Sequence, residues 1–171
     1  WSRMTLEGRV ALITGGKRMG AVVATTLARA GADVALVYNR SRVEAEATVA
    51  AVQALGRRAV SVQADVSSEP DCALAVEATV ERLGRLDILV NMASVYGAKP
   101  FAQLTAADWD RQMSVDLRAT FLLARASALV MKRVGGGRII NFADWVVASG
   151  RPRYPGYLAY YVAKAGVKAL T

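Results

Sequence analysis

A tyrosine and a lysine near the end of the sequence have the types and the spacing for acid–base chemistry. Tyr160 and Lys164 are four residues apart, so on a helix they lie on one face and reach the same site. Free tyrosine has a pKa of roughly 10, too high for an efficient proton relay at neutral pH. A lysine ammonium at ~4 Å and an effective dielectric of ~20 stabilises the phenolate by about 4 kcal/mol. This predicts that the pKa of Tyr160 falls toward neutrality. Tyr157 and Tyr161 lack a lysine four residues on.

The residue types that are missing exclude several classes of enzyme. The sequence contains no histidine, which excludes Ser-His-Asp and Cys-His catalysis and histidine-ligated zinc. Cys72 is the only cysteine, so no internal disulfide can form and a reducing compartment is favoured. We therefore expect no metal site, and chemistry that uses tyrosine, lysine, serine, aspartate or a cofactor.

A glycine-rich stretch near the start has the pattern of a phosphate site. The apolar run Val10–Ile13 is typical of a buried parallel strand. Thr14-Gly15-Gly16 can turn sharply and let backbone approach a ligand, and a helical pattern follows Gly20. A helix N-terminus after such a turn presents free N–H groups to an anion. An ordinary strand–turn–helix connection is the alternative.

The elements that must position these residues alternate between strands and helices. Strands are predicted at Val10–Ile13, Asp33–Tyr38, Ala59–Ala64, Leu86–Asn91 and Arg138–Phe142. Helices are predicted from near Gly20 to Ala30, over Val43–Leu55, from Ser68 to Leu83, from Thr105 to about Val134, and from about Tyr157 on. This alternation predicts an α/β fold with a doubly wound parallel sheet in three layers, formed by one domain over residues 1–171. The residues after each strand should then meet at one edge of the sheet.

The composition favours a globular protein that acts on small molecules. The 171 residues carry a formal charge of +8, but the basic residues are scattered without interleaved aromatics. Nucleic-acid binding is therefore a weaker interpretation, and phosphate groups of a small ligand are preferred. No apolar run is long enough to span a membrane, and no signal peptide is recognised. We expect a cytoplasmic protein with a small-molecule substrate, and no nucleic-acid or membrane partner.

Taken together, these motifs resemble the short-chain dehydrogenase/reductase family over essentially the whole chain. They occur in the family's order, each at a predicted strand end or on the last helix: Thr14-Gly15…Gly20, Asp65-Val66, Asn91-Met-Ala-Ser94 and Tyr160-Tyr-Val-Ala-Lys164. The resemblance implies a Rossmann fold, a nicotinamide cofactor, and Tyr160 as the proton donor to a carbonyl that Lys164 assists. It also implies a cofactor site formed by the residues Gly15, Lys17, Arg18, Met19, Gly20, Asn39, Arg40, Ser41, Asp65, Val66, Asn91, Ala93, Ser94 and Lys164.

The residues after the second strand favour NADPH over NADH. A cofactor with a 2′-phosphate needs cations there, whereas one without it usually meets a carboxylate. The sequence has Tyr38-Asn39-Arg40-Ser41 and no acid from residue 34 to 43. Arg18 and Arg40 can form forked hydrogen bonds with a phosphate, and Ser41 adds a hydroxyl donor. The glycine loop is one residue shorter than the family's usual loop, which leaves Lys17 and Arg18 beside the dinucleotide.

Two positions depart from the family pattern. Asp144 follows the fifth strand where the family has a serine, and Asp116 lies in the long helix where the family has an asparagine. We count both as catalytic candidates, whether they support or impair the reaction. A carboxylate is a poor donor to an oxyanion, but it suits a substrate that carries N–H groups. The segment from Asp144 to Tyr160 is three residues longer than usual because of Arg151–Pro155, which could displace Asp144.

The sequence leaves the class of substrate open. Pteridine reductases, a branch of the family, share the aspartate at position 144, Lys-Arg in the glycine loop and an aromatic at the place of Tyr96. Tyr96 and Trp145 are therefore candidate substrate residues, and Tyr96 could stack on a flat heterocycle. A general NADPH-dependent carbonyl reductase, acting on a 3-oxoacyl compound or another ketone, ranks above pteridine reduction. A catalytically silent NADP-binding protein is the alternative of another class.

The ends of the sequence suggest a fragment. The family continues with two more strands and a substrate-covering loop, so we expect the C-terminal part to be missing after Thr171. By resemblance, the full-length protein is expected to form a homo-oligomer, a dimer or a tetramer, with Asp108–Val134 as a candidate contact surface.

Overall fold

The computed structural model describes residues 5–15, 17–150 and 154–171, and strands and helices alternate along it as predicted. The strands are β1 (Val10–Thr14), β2 (Asp33–Tyr38), β3 (Ala59–Gln63), β4 (Ile88–Asn91) and β5 (Arg138–Asn141). The α-helices are α1 (Met19–Arg29), α2 (Arg42–Ala54), α3 (Glu69–Leu83), α4 (Ala106–Gln112), α5 (Ala119–Arg133) and α6 (Leu158–Leu170). Residues 151–153, most of the predicted insertion, and Gly16 of the glycine turn lie outside the described residues.

The five strands form one parallel sheet in the order β3-β2-β1-β4-β5. This confirms the predicted doubly wound fold. The order reverses between β1 and β4, which makes a crevice at the carboxyl ends of these strands. The loops after β1, β2, β3 and β4 therefore meet at that edge.

Helices cover both faces of the sheet because successive strand residues point to opposite sides. Leu12 lies in a core cluster with residues of α3 and α5, whereas its neighbour Ile13 lies in a second cluster with residues of α1 and α2. Both side chains are fully buried. The arrangement is the predicted three-layer one, and it fixes the sheet edge that carries the candidate site.

The predicted long helix from Thr105 is continuous to Arg133, but its middle is a π-helix. Thr105 caps α4 in a capping box with Asp108, at the residue where the sequence predicts the helix to begin. Met113–Arg118 then forms a π-helical segment before α5 begins. Wider turns of this kind occur mostly as short interruptions and are frequent at functional sites. The segment carries Asp116, and it packs against α6.

Candidate active site

The glycine turn after β1 is held in place by close backbone contacts. Gly15 has a φ of 81°, and a Cβ there would lie 2.9 Å from the carbonyl carbon of Met92. A Cβ on Gly20 would lie 2.2 Å from the carbonyl oxygen of Gly15. Thr14 reinforces the contact, because its hydroxyl oxygen accepts hydrogen bonds from the N–H groups of Met92 and Ala93, each at 3.1 Å. The turn therefore forms a compact floor against the loop after β4.

A cleft of about 670 Å³ opens above this floor. The predicted cofactor residues that line it are Gly15, Lys17, Asn39, Arg40, Ser41, Asp65, Val66, Ala93 and Ser94. Two of them are cationic, Lys17 and Arg40. The Ser67 hydroxyl and backbone N–H donate to Asp65 and hold the pKa of that carboxyl below its usual range. The cleft thus places cations and an ionised acid around a glycine floor.

Four predicted cofactor residues besides Lys164 lie outside that lining. Arg18 precedes α1 with a φ of 43°, a strained value for a residue other than glycine, and its side chain is exposed. Met19 is also exposed, Gly20 packs below Gly15, and the buried Asn91 donates to Asn141 at 2.9 Å. The structure therefore does not bring Arg18 together with Arg40 in this cleft.

The first acid after β2 also bears on the cleft. Glu44, in the first turn of α2, lies 3.4 Å from Lys17. Both side chains are more than half exposed, so this contact contributes little to stability. It does mean that Lys17, one of the cations that line the cleft, has a carboxylate neighbour, which the sequence pattern did not indicate.

The residues present fit a dinucleotide. Gly15 and Gly20 let the turn pack closely against neighbouring backbone where a side chain would clash, and the cleft extends from this floor to the cations beside β2. First-turn N–H groups of α1 and cationic side chains are the usual partners of phosphate groups.

Tyr160 is hydrogen-bonded to Asp144. The Tyr160 hydroxyl donates to Oδ2 of Asp144 at 2.8 Å, while Oδ1 of Asp144 accepts the N–H of Val146 at 3.0 Å. The longer segment between the two residues has therefore not separated them. Burial, together with the Asp144 carboxylate, raises the pKa of Tyr160 above its ordinary value. The prediction of a lowered pKa is wrong for this arrangement, because it counted the lysine and left out burial of the phenol and the carboxylate.

Lys164 is buried and has other partners than the Tyr160 hydroxyl. Its ammonium donates to the carbonyl oxygen of Phe142 at 2.9 Å and lies 3.4 Å from Oδ1 of Asp116. It lies 5.6 Å from the centroid of the Tyr160 ring. The spacing of four residues thus brings the two side chains together, as predicted.

Asp116 is a buried carboxylate that joins the loop after β4 to the helices. It accepts hydrogen bonds from the Ser94 hydroxyl, from the Val95 N–H at 2.9 Å and from the Gln112 side chain at 2.8 Å. Burial raises the pKa of Asp116 although these donors and Lys164 act against it. The π-helical segment therefore fixes both Lys164 and the Ser94–Val95 backbone.

Aromatic rings border a second, smaller cavity of about 380 Å³ beside Tyr160. The ring of Tyr96 stacks on Tyr157 with centroids 4.6 Å apart and meets Tyr160 edge-on at 5.0 Å. Tyr96 lines the cavity, and its role as a substrate residue stays a prediction. Trp145 lines neither cavity, so the structure does not place it with Tyr96. Val95 and Arg111 line both cavities, which therefore share a wall.

Three residues have contacts in the site that the sequence pattern did not assign to them. Tyr157 precedes Tyr160 by three residues and Gln112 precedes Asp116 by four, spacings that put each pair on one helix face. Thr14 is the last residue of β1, at the edge where the site had to be. Helical spacing would have found the first two, but the role of Thr14 depends on the neighbouring strand.

Two further expectations concern a metal site and a membrane-spanning segment. Among residues 5–15, 17–150 and 154–171, no three histidine, cysteine, aspartate or glutamate side chains are grouped so as to hold a metal ion. In the same part of the chain, no helix has the length and apolar character needed to cross a membrane.

Comparison with known proteins places the chain among proteins of one family. The family model described as short chain dehydrogenase matches residues 9–171. Hydroxynaphthalene reductase arp2 of Aspergillus fumigatus is 36% identical over 169 residues, which cover 98% of this chain and 60% of that protein. The 3-oxoacyl-(acyl-carrier-protein) reductase of Synechocystis is 33% identical over 167 residues, covering 97% of this chain and 66% of that protein. The chain thus spans less than two thirds of these relatives.

Solved structures agree with this result. A short chain dehydrogenase of Burkholderia cenocepacia in complex with NADP superimposes with a TM-score of 0.89 and 38% identity, over 97% of this chain and 66% of the other. An NAD⁺-bound xylitol dehydrogenase superimposes with a TM-score of 0.88 and 31% identity, over 97% and 63% of the two chains. Structural neighbours thus include one NADP and one NAD⁺ complex.

Proposed function

The chain belongs to the short-chain dehydrogenase family, and on that premise we propose that it forms the cofactor-binding and catalytic part of an NADPH-dependent reductase. The substrate would be a ketone, such as a 3-oxoacyl compound. One observation carries the proposal: the glycine-floored cleft and the cavity of Tyr160 share the wall of Val95 and Arg111. A dinucleotide in the cleft and a carbonyl at Tyr160 would therefore be neighbours.

In this proposal the bound nicotinamide would supply the hydride, and residues of this chain would do the rest. Gly15, Lys17, Arg40 and Ser41 would hold the dinucleotide. The substrate carbonyl oxygen would take the place of Asp144 Oδ2 as acceptor of the Tyr160 hydroxyl. As hydride adds to the carbonyl carbon, the O–H bond of Tyr160 breaks and its proton completes the alcohol. The phenolate left behind regains a proton from solvent before the next turnover.

NADPH is proposed over NADH because of the charges beside β2. Arg40 and Ser41 line the cleft together with Lys17, and these donors suit a 2′-phosphate. Glu44 acts against this preference through its contact with Lys17.

The variant Tyr160→Phe tests the function. It keeps the ring and removes the proton donor, so we expect turnover to fall by about 10² to 10⁴ and the affinity for NADPH to stay unchanged. Ketone-dependent NADPH oxidation and fluorescence titration of NADPH measure the two effects. Tyr161→Phe is the matched control, since the Tyr161 hydroxyl accepts the N–H of Tyr154 and lies outside both cavities. Full turnover by Tyr160→Phe would refute the assignment.

Pteridine reduction is the second candidate, supported by the hydrogen bond between Asp144 and Tyr160. A carboxylate at this place can accept an N–H of a flat heterocycle, and Tyr96 offers a ring to stack on it. A dihydropterin assayed beside 3-oxoacyl thioesters and simple ketones discriminates the two. Faster turnover of the dihydropterin would favour this candidate, and NADPH binding without turnover of any compound would favour a catalytically silent protein.

A further inference from the structure

Two carboxylates partner the tyrosine and the lysine in this site. Asp144 accepts the hydroxyl of Tyr160 at 2.8 Å, and Asp116 lies 3.4 Å from the ammonium of Lys164. The Asp116 side chain is fully buried and that of Lys164 nearly so, at 6% exposure. Screening by water is weak at such positions, so the Asp116–Lys164 contact is a strong one, whereas Asp144 is half-buried.

Asp116 is surrounded by donors only. The hydroxyl of Ser94, the N–H of Val95, the amide of Gln112 and the ammonium of Lys164 all face its two oxygens. Such a set suits a carboxylate, which accepts at both oxygens, and leaves no partner for a carboxylic O–H other than the Ser94 hydroxyl. The Lys164 ammonium therefore has Asp116 as its carboxylate partner and the Phe142 carbonyl as a hydrogen-bond acceptor.

The other carboxylate, Asp144, contacts the Tyr160 hydroxyl and the N–H of Val146. An oxygen of Asp144 can accept a hydrogen bond from the phenol, but a phenolate at the same place would set two negative oxygens 2.8 Å apart. Like charges at this separation disfavour ionisation strongly, and more so when buried. The other titratable side chains that face Tyr160 are Asp116, Lys164, Tyr96, Tyr157 and Tyr161. Two acids and one lysine therefore surround it.

We propose that Asp144 is a positioning residue that keeps the proton on Tyr160, while Asp116 holds the Lys164 ammonium against the carbonyl of Phe142. The proposal rests on the proposed function, in which Tyr160 donates that proton. It implies that the Tyr160 hydroxyl stays protonated from neutral to alkaline pH. The rate of reduction should then decline with rising pH only at a higher pH than it would with a hydroxyl residue at position 144, because Tyr160 keeps its proton longer.

Direct titration of Tyr160 in the full chain, without substrate, tests the proposal. The ζ-carbon shift of ¹³C-labelled tyrosine reports ionisation, and Tyr160→Phe identifies the signal of Tyr160. We expect Tyr160 in Asp144→Ser to ionise at a pH lower by about one unit or more than in the parent. Asp144→Asn removes the charge but keeps the size, so it should shift ionisation in the same direction, and it replaces Asp144→Ser if that variant does not fold. Asp116→Asn frees Lys164 from its carboxylate and should also lower the pH of ionisation.

The kinetics give a second measurement. In Asp144→Ser the alkaline limb of kcat/KM for reduction should move to lower pH in step with the titration of Tyr160. An identical ionisation pH of Tyr160 in the parent, Asp144→Ser and Asp144→Asn would overturn the proposal. Failure of the proposed function looks different, because turnover would then be absent in every variant while the shift in the titration persisted.

Discussion

At the scale of single residues, Arg40 is the side chain on which the choice of cofactor depends most. It lines the cleft beside β2, where its positive charge helps to lower the pKa of Asp65, and no salt bridge to its guanidinium is found in the part of the chain that the structure describes. Lys17, by contrast, shares its charge with Glu44. Arg40 is therefore the better candidate to distinguish NADPH from NADH.

Arg40→Ala should weaken the binding of NADPH and leave the affinity for NADH unchanged. Loss of a charge-assisted hydrogen bond to the 2′-phosphate costs about 1.5–3 kcal/mol, so the Kd for NADPH should rise by about tenfold or more. Fluorescence titration with each cofactor measures this. Arg29→Ala, at the far end of α1 from the glycine turn, is the matched control. Equal losses for both cofactors would contradict a role at the 2′-phosphate.

At the scale of secondary-structure elements, the unit of β1, glycine turn and α1 depends on backbone contacts that admit no side chain. Gly20→Ala would bring a Cβ to 2.2 Å from the carbonyl oxygen of Gly15, so the turn must open. We expect loss of measurable NADPH binding and a lower Tm, since such strain costs at least about 1–3 kcal/mol. Calorimetry and cofactor titration measure the two effects.

Gly97→Ala is the control for that variant. Gly97 lies in the loop after β4 and does not adopt a positive φ. A Cβ there would meet nothing within 4 Å. Its affinity for NADPH and its Tm should match the parent. If Gly20→Ala bound NADPH as tightly as Gly97→Ala, the glycine floor would not be the phosphate site.

The long helix shows how far an element can be predicted. The capping residues at Thr105 and the glycines after Val134 fixed its ends in the sequence, because caps are local chemistry. The π-helical segment at Met113–Arg118 has no such local signal. Its Asp116 contacts Val95 and Lys164, which come from distant parts of the chain.

At the scale of the whole molecule, Asp87 ties the start of β4 to the start of β1. It accepts hydrogen bonds from Arg9 at 2.8 Å, from Arg85 at 2.7 and 2.8 Å, and from the N–H of Val10 at 3.0 Å. Burial alone would raise the pKa of Asp87, but the donors outweigh it and the pKa lies below its ordinary value. Protonation of Asp87 therefore favours the unfolded chain.

Asp87→Asn should lower the free energy of unfolding at pH 7 by about 1.5–3 kcal/mol, because the partly exposed Arg9 and Arg85 and the buried N–H of Val10 lose their charged acceptor. Asp87 contributes in full above its unfolded pKa of about 3.9, and the contribution is lost as the pH falls below that value. The variant should thus lose less stability than the parent between pH 5 and pH 3, as urea unfolding at both pH values would measure.

The control is Asp110→Asn, at an exposed position, whose free energy of unfolding should lie within about 0.5 kcal/mol of the parent at pH 7. An Asp87→Asn variant as stable as this control would exclude the structural role of Asp87.

Assembly into a homo-oligomer through Asp108–Val134 stays a prediction, which gel filtration of the full chain would test.

The sequence by itself determined the order of strands and helices, the parallel sheet, and the edge at which Gly15, Asp65, Ser94 and Tyr160 had to gather. Strand pattern, caps and glycine turns are local, and a parallel sheet sends all strand ends to one side. Only the tertiary structure decided which side chains touch there. Asp144 rather than Lys164 is the hydrogen-bond partner of Tyr160, and Arg18 lies outside the cleft. Electrostatic balance at a buried site depends on every charge within a few ångströms, and the spacing of two residues reports only one pair.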